Sequence, residues 1–480
     1  MRFFYFFAAA LLWSEAWAFF PGAHVRRHGR TPLPTAATAT TAAMDWEALS
    51  RVNQASPAGS ALVTDLALRQ QGLGKAHSDN DIRRFDSTAE PRVVFYKDRA
   101  SWCPYCQKVW LLLEEKRIPH RVEKINMRSY GDKPESFMRI CPNGLLPAIS
   151  IDGGAVQVES VPIMMTLDRL FTGPQHKPMW PSAAPEQARA QKLMSLERTL
   201  FGDWCSLVFR GSMGNSAQRR FEQTMDEVNR ELQVVSSSPW FLSELSIVDL
   251  QYVTHIERMC ASCAFWSGLQ IRGSRWPAIE RWLQAFEKMP SYMATKSDYY
   301  THCLDIPPQY GPGYSLPGSE AFQNAILGED GSWELPLKPF SSADIEPVAA
   351  AVGDGDIEES ARQEAAFKLI GNHANIVKFA CRGPGQPGRK QFQAPLADPY
   401  ATPNLDYAPD VDDYLRLVAQ GLVASSADAL DVPKITDGKR RKGVQESLAY
   451  LRDRIGVPRD MSYPAARQLR AHLNWVIKSV

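Results

Sequence analysis

Long apolar runs are scarce in this 480-residue chain, and beyond its first residues none approaches the ~20 residues that a bilayer-spanning helix needs. An excess of charge is missing too. Lys and Arg number 54 against 53 Asp and Glu, so a net charge of +1 gives no global pull toward nucleic acid or a membrane surface. Cysteine is sparse. Eight in so long a chain are too few for a disulfide scaffold, and each thiol must be judged by its neighbours. What remains, 44% apolar and 22% charged residues, is ordinary globular text long enough for two to three domains.

The N-terminus departs from that text. Arg2 precedes the apolar run Phe3 to Trp13 and the small-x-small exit Ala16-Trp17-Ala18, which predicts a signal peptide over 1–18. From Phe19 to Ala43 there is no acidic residue, while Arg26, Arg27, Arg30 and a Thr/Ala run appear, the composition of a transit peptide over 19–43. A signal peptide followed by a transit peptide that starts with Phe resembles the two-part plastid leader of algae with secondary plastids. Plain secretion is the alternative.

Residues 44–90 read as a polar, loosely packed lead-in. Val93-Val94-Phe95-Tyr96 is a buried-strand pattern, the run from Val109 to Lys116 a helix, and His120 to Ile125 an alternating strand. A helix near Pro134–Ile140, strands at Ala148–Ile151 and Val156–Val158 and a helix from Val161 complete the order of a thioredoxin fold over 91–174. Helical periodicity fills 185–300, where Ser246-Ile247-Val248-Asp249 is a capping box that starts a core helix. Pro/Gly-rich text after Tyr300 predicts an irregular linker over 301–344, and a further small all-α domain of unknown role occupies 345–480. The fold class is therefore an α/β thioredoxin-like domain followed by two helical ones.

The chemistry starts at Cys103-Pro104-Tyr105-Cys106, where a strand ends and a helix begins. Unpaired N–H groups and the positive end of the helix dipole stabilise a thiolate at Cys103. Pro104 suits a first helical turn, and Cys106 is placed to attack a mixed disulfide formed at Cys103. The competing reading, a zinc half-site, needs a second ligand pair of suitable spacing. No metal is expected. Downstream, Leu146-Pro147 stands just before a strand facing the motif. At Glu159-Ser160 a carboxylate can take an ammonium, and a hydroxyl beside a helix N-terminus can take a carboxylate. Lys133, ahead of Pro134-Glu135, can pair with another carboxylate. In this order after the cysteine motif they make a site for an extended tripeptide.

The stretch from Val93 to Phe171 resembles the glutathione transferases with a catalytic cysteine, the omega, lambda and dehydroascorbate-reductase classes. Ala100-Ser101-Trp102-Cys103-Pro104-Tyr105-Cys106-Gln107-Lys108-Val109-Trp110, with Lys124 to Pro134, is closer still to the iota class, which carries an extra C-terminal domain. The resemblance implies a cis Leu146–Pro147 bond, Cys103 as nucleophile, and glutathione as co-substrate held by Lys133, Leu146, Pro147, Glu159 and Ser160. It implies thiol transfer or reduction of glutathionylated or small oxidised substrates such as dehydroascorbate. Many relatives have Ala or Ser where this chain has Cys106, so dithiol turnover stays open. Alternatives are a prostaglandin-synthase-like isomerase and a non-catalytic ligand-binding scaffold. The helical domain holds the surfaces that transferases use for homodimers, with no residue pattern that keys one.

Other motifs carry blander readings. Cys260-Ala261-Ser262-Cys263 lies within a helical run and reads as core packing. Lys439-Arg440-Arg441-Lys442 lacks interleaved aromatics and reads as a solvated face rather than a nucleic-acid contact.

Overall fold

At the centre of the sheet the strand Val93–Asp98 (β2) buries Val93, Phe95 and Lys97 on one face and leaves Val94 and Tyr96 half-buried on the other, and the chain leaves it directly into the cysteine motif. The computed structural model describes residues 44–210, 214–348, 357–389, 394–424 and 430–480; the leader expected over 1–43 lies outside them. Helix α3 (Pro104–Glu115) crosses from β2 to β3 (His120–Ile125), which pairs parallel with it, Phe95 opposite Val122. Strand β4 (Ala148–Ile151) lies antiparallel on the other side, Tyr96 opposite Ala148, and β5 (Gln157–Val158) pairs onto β4. With β1 (Ile82–Arg83) at the far edge, the five strands run β1-β3-β2-β4-β5. Val109 and Leu111 to Leu113 on α3 are wholly buried because the helix is covered by the sheet and by a helix of the next domain. Each such side chain is worth roughly 1.5–3 kcal/mol of transfer free energy.

After α4 (Glu135–Ile140) and α5 (Ser160–Leu170), helices α6 (Ala184–Phe209), α7 (Gly214–Glu231), α8 (Ile247–Ser267), α9 (Pro277–Phe286) and α10 (Pro290–Thr295) form the second domain. The box at the start of α8 forms as read. Asp249 accepts from Ser246 N (3.0 Å), and its other oxygen takes Phe241 N (3.0 Å) and Trp282 Nε1 (3.0 Å). Asp249 thus ties these segments to a helix that is buried over nearly its whole length.

Two sequence readings need correction. Residues 301–344 are not irregular throughout: α11 (Tyr299–Tyr310) runs through Pro307 and Pro308, and α12 (Glu320–Leu327) follows. The two prolines sit in the last turn of α11, so the chain keeps its helical path up to them. The stretch 44–90 is not a loose lead-in either. Asp45 caps α1 (Trp46–Ala55), and Ser56 with Pro57 at the first position starts α2 (Pro57–Gln70).

Both helices pack on the C-terminal domain, whose elements are α13 (Ile357–Gly371), α14 (His373–Ala380), α15 (Ala408–Ala424), α16 (Gly438–Arg452) and α17 (Tyr463–Ser479). Leu49 is fully buried in the same apolar cluster as Leu369, Val418, Leu448 and Leu473. Asn53, also buried, donates to Gln363 Oε1 (2.6 Å). The transferase-like part is therefore inserted between the first two and the last five helices of one core. Replacing Leu49 by Ala is expected to cost this core about 2–5 kcal/mol, read as a lowered melting temperature. An unchanged melt would mean that α1 rests on the domain without stabilising it.

Candidate functional site

Strand β2 ends at Asp98, and that carboxylate organises everything after it. One oxygen accepts from Ala100 N (2.9 Å), the other from Trp102 N (2.9 Å) and Cys103 N (3.0 Å). Burial pushes Asp98 above the usual carboxylate range, and these three backbone bonds oppose the rise. Cys103 is the N-cap of α3, with Pro104 at the first helical position. That position is the positive end of the helix dipole, where a negative charge is favoured.

Six other thiols contrast with it. Burial raises Cys205 and Cys381 to about 11, Cys260 to about 12, and Cys106, Cys263 and Cys303 well above an ordinary thiol. Cys103 alone moves down, through a hydrogen bond from the Cys106 thiol first and the nearby Arg258 charge as well, in spite of burial. Beneath it, Lys108 is fully buried and donates to Gln251 Oε1 (2.9 Å); burial lowers it to about 8.

The sheet register brings the other sequence-read residues to this place. Ala148 pairs with Tyr96 and with Val158, so Pro147 just before it lies beside the end of β2, and Glu159 just after Val158 lies beside Pro147. The Leu146–Pro147 bond is cis. Glu159 is exposed and has φ 73°, a left-handed backbone rare for a residue with a Cβ, at the junction where Ser160 opens α5. Such an outlier points toward function more often than to packing. Lys133 donates to Gly144 O (2.8 Å), and its charge senses Asp98, Cys106 and Cys103. Cys260 and Cys263 are buried on α8 and belong to the apolar core. Among the described residues no group of three or more His, Cys, Asp or Glu is arranged to hold a metal, and no helix is long and apolar enough to cross a membrane.

Comparison with known proteins bears on this arrangement. Residues 102–170 match the family model for the glutathione S-transferase N-terminal domain. The chain is 24% identical over 218 residues to glutathione S-transferase L3 of Arabidopsis thaliana, covering 44% of this chain and 88% of that one. It is 32% identical over 159 residues to the R-phycoerythrin alpha chain of Pyropia yezoensis, covering 29% of this chain and 88% of that one. The chain belongs to the glutathione transferase family and, over 29% of its length, to that of the R-phycoerythrin alpha chain. Among solved structures, glutathione transferase Omega 3C from Trametes versicolor is similar at 24% identity and a TM-score of 0.37, covering 44% of this chain and 91% of that one.

Around the cleft the structure adds partners that the sequence motifs do not give. The indole of Trp102 is buried and donates to His302 Nδ1 (3.0 Å), and His302 Nε2 bonds Glu257 Oε1 (2.9 Å). Arg258, 1% exposed, lies over the Trp102 ring (4.8 Å), donates to the Trp102 carbonyl and reaches Gln107 Oε1 (2.8 Å). Tyr130 donates to both oxygens of Asp305 (2.6 and 2.8 Å). Burial pushes Asp305 up to about 7, with Asp98 adding to the rise and Tyr130, Arg459 and Arg258 opposing it. The pairings carry no local signal, since each joins residues far apart in the chain, although Trp102 and Gln107 flank the cysteine motif and Asp98 lies five residues before Cys103.

Asp305 has a consequence for stability. Its folded-state pKa stands above the unfolded one, so folding favours the protonated form; stability is greatest at low pH and erodes as pH rises from about 4 to about 7. Asp305→Asn is expected to flatten the fall in urea midpoint between pH 5 and 7. An identical slope in the variant would contradict the assignment.

Proposed function

We propose that this protein is a glutathione-dependent thiol transferase or reductase in which Cys103 is the nucleophile. The observation that carries the reading is the contrast in acidity: Cys103 is held below an ordinary thiol at a helix N-terminus while its neighbour Cys106 is held well above. For a glutathionylated substrate, the Cys103 thiolate attacks the glutathione sulfur. The substrate's disulfide bond breaks, a Cys103–glutathione disulfide forms, and the substrate leaves as a thiolate that takes a proton from solvent. A second glutathione, as thiolate, then attacks the glutathione sulfur of that adduct. Oxidised glutathione departs and Cys103 returns to its stabilised thiolate. Reduction of a small oxidised molecule such as dehydroascorbate consumes two free glutathiones: the first takes the Cys103 sulfur from its adduct with the substrate, releasing the reduced substrate and leaving the Cys103–glutathione disulfide, and the second removes that glutathione as oxidised glutathione.

In this reading Leu146 lends its backbone to the extended tripeptide, Glu159 takes the γ-glutamyl ammonium, Ser160 with the start of α5 takes the neighbouring carboxylate, and Lys133 takes the glycyl carboxylate. Cys106 works as a hydrogen-bond donor to the Cys103 sulfur more than as a second nucleophile, because a thiol raised so far is scarcely ionised at neutral pH. A cysteine in place of a Tyr or Ser disfavours conjugation of electrophiles, since it captures glutathione as a disulfide.

The iota class remains the assignment we favour within the family, and the helical core that closes the chain is its extra domain. Outside the transferase part, only the chain beyond residue 300 is long enough to supply a match covering 29% of the whole, so we assign the likeness to the R-phycoerythrin alpha chain to that core. The two-part leader directs the protein to a plastid; one relative, glutathione S-transferase L2 of Arabidopsis thaliana, is chloroplastic by name.

With a glutathionylated peptide and glutathione, Cys103→Ser is expected to abolish turnover, a loss of 10³-fold or more. Cys106→Ala should slow it about tenfold or less, as one charge-assisted hydrogen bond is lost. Full activity in Cys103→Ser sinks the thiol mechanism, and total loss in Cys106→Ala would establish obligate dithiol turnover instead.

A further inference from the structure

We propose that the C-terminal domain is part of the catalytic unit, and that Arg470 is a positioning residue which acts through α11 to hold Trp102 and Arg258 against Cys103. The proposal rests on the reading of Cys103 as a thiolate nucleophile.

Arg470 projects from α17 and is 1% exposed. It donates to Asp298 Oδ2 (2.7 Å) and to Ile455 O (2.8 Å), and its guanidinium lies 4.3 Å above the Tyr300 ring. Asp298 is wholly buried and is the N-cap of α11, its other oxygen accepting from Thr301 N (2.9 Å). One carboxylate therefore starts the helix and binds the C-terminal domain at once. Three more bonds fasten the same turn. Ser297 Oγ donates to Val457 O, Val457 N to Thr301 Oγ1 (3.1 Å), and Tyr300 OH to Asp453 O (3.0 Å).

One turn further along α11 comes His302, with no exposed surface. Burial keeps it neutral, so the network fixes its tautomer: Nε2–H donates to Glu257, and Nδ1 accepts from the Trp102 indole. Glu257 also accepts from Ser297 N (3.0 Å) and from Gln107 Nε2 (2.9 Å), closing the loop from the start of α11 to α3. Trp102 immediately precedes Cys103 and is the platform for Arg258, the cation whose field favours the Cys103 thiolate. Every member of this route is buried, and only the four-residue step from Asp298 to His302 separates the C-terminal domain's ion pair from the indole beside the nucleophile. Packing alone would not require a charged pair here, since well-packed apolar residues serve a purely structural contact as well or better.

The test uses the full chain and follows alkylation of Cys103 by iodoacetamide against pH, read by mass of the Cys103 peptide. Wild type should show a midpoint below an ordinary thiol; a midpoint at or above about 8.5 would overturn the nucleophile reading itself. Arg470→Gln with Asp298→Asn removes both charges of the pair together. It is expected to move the midpoint up by about one unit, a tenfold loss of rate at pH 6, while Arg470→Lys, which keeps a cation beside Asp298, should stay close to wild type. His302→Phe breaks the relay without touching the ion pair and should give the same shift. Profiles that superimpose on a normal wild-type one in folded Arg470→Gln/Asp298→Asn protein overturn the coupling. If that double variant does not fold, an unshifted His302→Phe profile overturns it alone.

Discussion

The fold's chemistry hangs on one carboxylate collecting three backbone N–H groups. Asp98 takes Ala100, Trp102 and Cys103 N–H, so the turn between β2 and α3 has a single shape. A buried carboxylate without such partners would be costly. With them it fixes the backbone of Cys103 before any side chain of the cleft is considered. What favours a thiolate at Cys103 is then what is left over: the Cys106 thiol, the helix N-terminus and the Arg258 charge.

That arrangement explains why the second domain is so closely built onto the first. The α8 face that meets α3 is polar and buried, carrying Gln251, Glu257 and Arg258. These side chains bond Lys108, Gln107 and the Trp102 carbonyl, so neither domain makes these hydrogen bonds alone. The C-terminal core extends the same logic through α11. Because α1 and α2 belong to that core, the transferase part has both ends anchored in one domain rather than one free end.

The parts legible in the sequence were those whose signal is local. Cys103 and Cys106 announce themselves by strand, motif and helix in succession, and Ser246 with Asp249 by their spacing. The order of Lys133, Pro147 and Glu159-Ser160 could be read because strand pairing follows chain order on that side of the sheet. Helix α11 went unread because Pro307-Pro308 suggests a break, and only the structure shows that both sit in its final turn. Helices α1 and α2 had readable starts at Asp45 and at Ser56-Pro57, but their partner is a core more than 300 residues away. The roles of Arg258, His302 and Arg470 were hidden in the same way, by partners 151, 200 and 172 residues away. A buried charge in a helix shows its purpose only beside the group it meets.

The central claim is that Cys103 is the thiol that exchanges with glutathione. Intact-mass and peptide analysis of Cys106→Ser after incubation with oxidised glutathione tests it most directly. The account gives one glutathione per chain, in disulfide linkage at Cys103 and removable by reduced glutathione. An adduct absent from Cys103, or carried instead by the half-exposed Cys205, would contradict it.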